Sequence, residues 1–226
     1  MPTPGLIVAA PASGSGKTVI TLALARAYRN AGLRIAAAKT GPDYIDPAYL
    51  GAATQRDCIN LDSWAMRHTV VAGLAGQLDR DSDLILCEGV MGLFDGAAGG
   101  GGSTADLAAL TGWPVVLVVD ARAQAGSIAA LVEGFVGHRP DISVGAVICN
   151  RVGSPNHRAM LDEALAGMTP ALCVLEYLPT DPALALPARH LGLVQASEHA
   201  ALDDFLDTAA AFVAAHQAIY GGWTAY

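Results

Sequence analysis

Lysine is nearly missing from this chain. Of its 13 basic side chains in 226 residues, only Lys17 and Lys39 are ammonium groups. Positive charge as a whole is short, since 21 acidic residues leave a net charge of −8. That balance lacks the electrostatic footprint of a nonspecific nucleic-acid binder. No apolar run reaches the ~20 residues needed to cross a bilayer. The N-terminal stretch Met1-Pro-Thr-Pro-Gly5 also lacks the cationic region of a secretory signal. The mean hydropathy of +0.39 therefore reads as a buried core, and a cytoplasmic protein without membrane contact is expected. Cysteine is scarce: Cys58, Cys87, Cys149 and Cys173 show no CxxC spacing, and the six histidines show no metal-ligand spacing. Cys87, Cys149 and Cys173 fall inside strand-like runs, so buried free thiols are expected there.

What is abundant is alanine, valine and leucine, within a hydrophobic fraction of 53%. Such a composition suits a sheet covered on both faces. Apolar runs of strand length recur at 5–10, 34–39, 83–88, 114–120, 143–149 and 171–175. Helical spacing occupies 17–31, 69–80, 104–112, 125–137, 156–168 and 199–218. This alternation predicts an α/β fold with a doubly wound, mostly parallel sheet. One domain spans 1–218, followed by a tail at 219–226, and the Gly99–Gly102 run is a loop within it. Ligands in such sheets bind beyond the carboxyl ends of the strands. The loops 11–18, 39–47, 88–103, 150–156 and 176–190 all fall there. Residues 176–198, without clear periodicity, are expected to wrap the sheet edge or a nucleotide.

Both lysines stand at strand ends. Lys17 lies in Pro11-Ala-Ser-Gly-Ser-Gly-Lys-Thr18, which fits the phosphate-loop pattern G-x-x-x-x-G-K-[ST] except that Pro11 replaces the first glycine. Ala12, Ser13, Gly14, Ser15 and Gly16 are expected to turn their backbone N–H groups toward a polyphosphate. The following helix adds its amino-terminal dipole. Lys17 would reach the β- and γ-phosphates and Thr18 would ligate Mg²⁺, so ATP and Mg²⁺ are the expected cofactors. A partitioning-type switch ATPase carries a further lysine early in this loop, where Ala12 stands here. The final helix, with Asp203, Asp204 and Asp207, is not the basic amphipathic tail of such a switch either.

Lys39 opens Lys39-Thr-Gly-Pro-Asp-Tyr-Ile-Asp-Pro47. Asp43 and Asp46 in this loop, and Glu88 closing the apolar run 83–88, are candidates to meet Mg²⁺ beside the phosphates. The alternative for Asp43 is the cap of a short helix, and for Asp46 an Asx turn. Asp46 precedes Pro47, which should push it out of helical geometry and into a turn. Asp95, in Glu88-Gly-Val-Met-Gly-Leu-Phe-Asp-Gly96, is far enough from Glu88 to face a second substrate. Ser103 and Thr104 are N-caps for the next helix, whose free N–H groups could also hold a substrate carboxylate.

These segments resemble one family. The stretches Ala10–Thr18, Lys39–Pro47 and Glu88–Gly96, with Ser103-Thr-Ala-Asp-Leu107, Asn150-Arg-Val-Gly153, Asp181–Pro187 and Arg189–Leu193, look like those of the cobyrinic or hydrogenobyrinic acid a,c-diamide synthases. The resemblance implies a P-loop NTPase fold of the dethiobiotin synthetase type. It also implies ATP-dependent amidation of the a- and c-acetates of a corrin precursor, in cobalamin biosynthesis. Each carboxylate would be phosphorylated and then displaced by ammonia drawn from glutamine. Carried over by motif, Lys17 and Lys39 steady the moving phosphoryl group, while Thr18, Asp43 and Glu88 hold Mg²⁺. Asp46 organises metal and phosphate, Asn150 hydrogen-bonds adenine, and Tyr44, Asp95 and Ser103 face the tetrapyrrole. Full-length members add a glutaminase domain with a nucleophilic cysteine in a glycine-rich turn, a setting that none of the four cysteines has. An isolated synthetase unit is expected, supplied by a glutaminase domain in cis or in trans and unable to hydrolyse glutamine itself. Oligomeric state is open, with a homodimer across the nucleotide site as the arrangement the fold implies. Ni-sirohydrochlorin a,c-diamide synthase, cobyric acid synthase and dethiobiotin synthetase are the neighbouring alternatives, and a nucleotide-dependent switch is the non-catalytic one.

Overall fold

The computed structural model describes residues 3–168, 172–189 and 192–216. The proposed tail at 219–226, and the end of the helix expected at 199–218, lie outside the described residues. Seven strands form one sheet: β1 (Gly5–Ala9), β2 (Ile35–Thr40), β3 (Ile59–Leu61), β4 (Leu84–Glu88), β5 (Val115–Asp120), β6 (Val144–Val152) and β7 (Cys173–Pro179). Their order is β3-β2-β4-β1-β5-β6-β7, and every pairing is parallel. The helices are α1 (Lys17–Asn30), α2 (Asp46–Thr54), α3 (His68–Leu78), α4 (Thr104–Thr111), α5 (Ser127–Gly137), α6 (Pro155–Ala166) and α7 (Leu202–Ala215). A short antiparallel hairpin, β8 (Ala188–Arg189) with β9 (Gly192–Leu193), stands apart from the main sheet.

Alternate residues along each strand feed two cores, as a sheet covered on both faces requires. Val8, Ala37, Leu86, Val118 and Ile148 pack with α1, α2 and α7. Ile7, Ala38, Cys87, Val119 and Cys149 pack with α3 to α6 on the other face. Helix α1 is buried nearly all round because it lies between the sheet and α7. Its one deeply buried guanidinium, Arg26, donates to Asp207 at 2.7 and 2.9 Å and to Asp203 at 3.1 Å. The acidic residues of the last helix thus fasten it to the phosphate-loop helix.

The differences from the sequence reading are local. Helix α2 and strand β3 were not expected, and β7 runs on through 176–179 where a loop was expected. Asp46 does not project from a turn: it is the first residue of α2, with Pro47 in the opening turn where a missing N–H costs nothing. Cys173 is exposed because it opens an edge strand, whereas Cys87 and Cys149 are buried and Cys58 half-buried, all free.

Candidate functional site

The phosphate loop turns at two left-handed glycines, Gly14 (φ 80°) and Gly16 (φ 97°). Gly16 has a second constraint, since a Cβ there would lie 2.2 Å from Asn150 Nδ2. The first intrahelical bond of α1 runs from Ile20 N–H to the Gly16 carbonyl at 3.1 Å. The N–H groups before it have no partner within the helix and are available to an anion. Three of the loop's carbonyls, by contrast, are held by side chains. Ser15 Oγ donates to Ala12 O at 2.8 Å, Asn150 Nδ2 to Ser15 O at 2.9 Å and Arg151 Nη1 to Gly14 O at 2.7 Å.

Next to this loop the sheet register does the positioning. Lys39 of β2 is paired directly with Glu88 of β4, so both side chains leave the sheet on the α1 face. Lys39 Nζ meets Glu88 Oε1 at 3.1 Å, Asp46 Oδ2 at 2.6 Å, the Gly89 carbonyl at 3.2 Å and Asp43 Oδ2 at 3.9 Å. Lys39 is 2% exposed and Glu88 0%. Burial alone would depress the Lys39 ammonium, but Glu88 and Asp46 outweigh it and hold the group charged. The Glu88 carboxyl is pushed up, because burial exceeds the help it receives from Lys39. Lys17 is pushed down by burial, with Glu88 opposing and Lys39 adding to the shift.

These groups line a cavity of about 540 Å³. Ser13, Gly14, Gly16, Lys17, Thr18, Lys39, Asp43, Asp46 and Glu88, all named from sequence, face it together. A narrower slot of about 230 Å³ adjoins it, walled by Asn150, Leu178, Pro179 and Phe212 and sharing Gly16, Val19 and Arg151 with it. Asn150 therefore sits at this slot, with its amide engaged: Nδ2 holds Ser15 O, and Oδ1 accepts from Arg151 N at 2.9 Å.

The remaining candidates lie outside the cavity. Ala12 and Ser15 build the loop without lining it. Tyr44 is exposed beside its mouth. Asp95 is exposed and accepts from Gly92 N–H at 2.9 Å through Oδ2. Ser103 is buried as the N-cap of α4, its hydroxyl donating to Asp106 Oδ2 at 2.8 Å and accepting from Asp106 N–H at 3.1 Å. The structure gives it the capping role that the sequence also allowed. Asp43 likewise caps locally, accepting from the Ile45 and Asp46 N–H groups at 2.8 and 3.0 Å, while its carbonyl receives Asn60 Nδ2 at 2.7 Å.

Two residues escaped the sequence reading. Asn60, on the unexpected strand β3, anchors the Asp43 loop. Arg151 holds left-handed geometry at φ 61° and binds both Gly14 O and Asp120 Oδ2, the latter at 2.5 Å. The available signal was its place directly after Asn150 at a strand end.

The donor set suits a divalent cation bound together with a polyphosphate. Thr18 Oγ1 donates to Glu88 Oε1 at 2.6 Å, and Glu88 Oε2 is buried without a hydrogen-bond partner. Among the described residues no group of three or more His, Cys, Asp and Glu is arranged to hold a metal by itself. A cation at Thr18 and Glu88 would take its other ligands from phosphate and water, as Mg²⁺ does.

Comparison with known proteins agrees with this arrangement. Residues 6–194 match the CobQ/CobB/MinD/ParA nucleotide binding domain. The chain belongs to that family. This CobQ/CobB/MinD/ParA domain has relatives that match nearly its whole length. Proteins named hydrogenobyrinate a,c-diamide synthase are 55% identical over 213 residues in Brucella ovis, 53% over 210 in Rhizobium meliloti and 49% over 216 in Rhodobacter capsulatus. Each alignment covers 93–94% of this chain but only 48–49% of the relative, so the chain spans about half their length. Chloroplast FtsY of Physcomitrella patens superposes with a TM-score of 0.59 at 15% identity, covering 92% of this chain and 66% of that one, a likeness of fold alone.

Proposed function

We propose that this chain is the ATP-dependent synthetase half of an amidoligase that converts the a- and c-acetate carboxylates of hydrogenobyrinate to amides. The observation that carries the reading is the register pair Lys39–Glu88 set against Lys17 and Thr18 in one cavity. The names of relatives at 49–55% identity support the choice of substrate.

The chemistry follows from the poor electrophilicity of a carboxylate, whose leaving group would be oxide. One carboxylate oxygen attacks the γ-phosphorus of ATP, the bond to the β–γ bridging oxygen breaks, and ADP departs. Ammonia then adds to the acyl phosphate carbon, and inorganic phosphate leaves as the nitrogen loses a proton. Lys17 and Lys39 supply positive charge to the migrating phosphoryl group, and the loop N–H groups fix the chain of phosphates. Mg²⁺, held by Thr18 and Glu88 with Asp43 nearby, would offset charge on the phosphate oxygens. Asp46 keeps Lys39 charged and in place. Asp95 has an oxygen free to orient the incoming nitrogen or to take its proton. The ammonia comes from a glutaminase domain, which the greater length of the relatives accommodates.

The chain with ATP, Mg²⁺, ammonium and hydrogenobyrinic acid carrying ¹⁸O in its carboxylates tests this. Amide should form with one ¹⁸O passing to inorganic phosphate per amide. Amide without that transfer, or ATP cleavage indifferent to the tetrapyrrole, overturns the reading. Asp95→Asn should lower amide formation by about 100-fold, the scale of general acid–base catalysis, with ATP affinity unchanged; equal losses in both would remove Asp95 from the nitrogen step.

A further inference from the structure

Three of the large apolar side chains that this protein exposes sit at one rim. Tyr44 is 87% exposed, Trp64 66% and Met91 44%. They lie in the loops that leave the carboxyl ends of β2, β3 and β4, which are neighbours in the order β3-β2-β4. Two strand spacings make this strip about 10 Å wide, the scale of a fused macrocycle rather than of a single extended chain.

Trp64 is exposed without being loose. The Asp62 carboxylate accepts from the Trp64 and Ala65 N–H groups at 2.9 and 3.0 Å, and Met66 N–H returns to the Asp62 carbonyl at 3.0 Å. Gly102 approaches so closely that a Cβ there would lie 2.6 Å from the Trp64 Cβ. A large indole held in water by a rigid turn costs little further entropy when a ligand covers it. Met91 joins this rim to the chemistry, because it also lines the phosphate cavity. Tyr44 stands between Asp43 and Ile45, which line it too. Beyond Trp64, Arg67 and His68 are exposed where α3 begins, and Arg67 forms no ion pair among the described residues.

We propose that Trp64 is the stacking platform for the tetrapyrrole ring, with Tyr44 and Met91 completing an apolar ledge and Arg67 taking a peripheral carboxylate. This rests on the ligase reading above and adds to it the surface that recognises the macrocycle. An acetate arm of a ring lying on the ledge passes Met91 into the cavity that holds Lys17 and Lys39. Trp64 is a specificity residue: it grips the ring and leaves the phosphoryl step alone.

The test uses this chain with ATP, Mg²⁺ and ammonium, titrated with hydrogenobyrinic acid. Trp64→Ala should raise the KM for the tetrapyrrole at least tenfold while kcat and the Kd for ATP stay within twofold. Trp64→Phe should restore most of the affinity, because a flat ring is regained. In the wild-type chain the macrocycle should quench indole emission, and Trp64→Phe should remove most of that quenching although binding persists. A tetrapyrrole KM within twofold of wild type in Trp64→Ala overturns the platform while leaving the ligase reading intact. The same result with a shift toward monomer in sedimentation would assign the ledge to a second copy of the chain. Failure of the wild-type chain to bind or amidate hydrogenobyrinic acid removes the ligase reading, and the platform with it.

Discussion

The Lys39–Glu88 pair concentrates both the chemistry and the risk at single-residue scale. Both groups are out of water, so removing Lys39 leaves the Glu88 carboxylate without its ammonium partner, which in buried pairs costs about 3–5 kcal/mol, whereas Lys39 without Glu88 keeps Asp46 at 2.6 Å. Lys39→Met should therefore lose stability of that order in denaturant unfolding, and adding Glu88→Gln should recover much of it. The pH dependence carries a definite sign. Burial raises the Glu88 carboxyl above its ordinary 4.5 in the folded state, so its contribution to stability is full below that value and is lost as pH rises through the folded one. Glu88→Gln should then melt higher than wild type at neutral pH, with the gap closing toward pH 4.5. Melting curves across pH 4–8 check this, and a constant gap would mean that the carboxyl is not perturbed. Arg151 makes a third case. Left-handed backbone at an arginine costs about 1–2 kcal/mol, and its hold on the Gly14 carbonyl and Asp120 offsets that cost. Arg151→Ala keeps the strained backbone and loses the hold, so ATP affinity should fall by about tenfold in a direct binding titration.

Among elements, α1 and α7 depend on the link from Arg26 to Asp207 and Asp203. Arg26 is buried and Asp207 about half-exposed, so solvent screening discounts the pair. Asp207→Asn should lower the melting temperature by roughly 2–4 °C, which corresponds to about 1 kcal/mol for a chain of this size. The Asp207 carboxyl is held down to about 2 mainly by the Arg26 hydrogen bond, so the variant's deficit should fade as wild type loses the same interaction between pH 4 and 2. The sequence disclosed the elements that are long and uniformly apolar, because β1, β2, β4, β5 and β6 are buried on both faces. It hid β3, whose three residues Ile59–Leu61 are too few to show a period. It also hid α2, which begins at an Asp-Pro step and carries Gly51 within nine residues. The site was legible for a related reason: loop glycines, lysines and a strand-closing acid leave marks in the chain itself. Asn60 left none, and Arg151 only its place after Asn150, since their roles depend on which strands become neighbours.

For the whole molecule, nucleotide and cation should act on stability as one ligand. Binding to the folded state at 100 times Kd adds about 2.7 kcal/mol. ATP with Mg²⁺ should thus raise the melting temperature by several degrees, and EDTA should cancel most of the rise because Glu88 is again left with an unsatisfied oxygen. An equal rise with and without EDTA would place the nucleotide away from Thr18 and Glu88. The all-parallel sheet has a wider consequence. Lys39 and Glu88 hang from interior, hydrogen-bonded strands, whereas Tyr44, Trp64 and Asp95 ride on the turns outside the sheet. On the proposed reading, phosphoryl chemistry and ring recognition are therefore separable inheritances, and swapping the outer turns should redirect this scaffold to another carboxylic acid while its engine stays untouched.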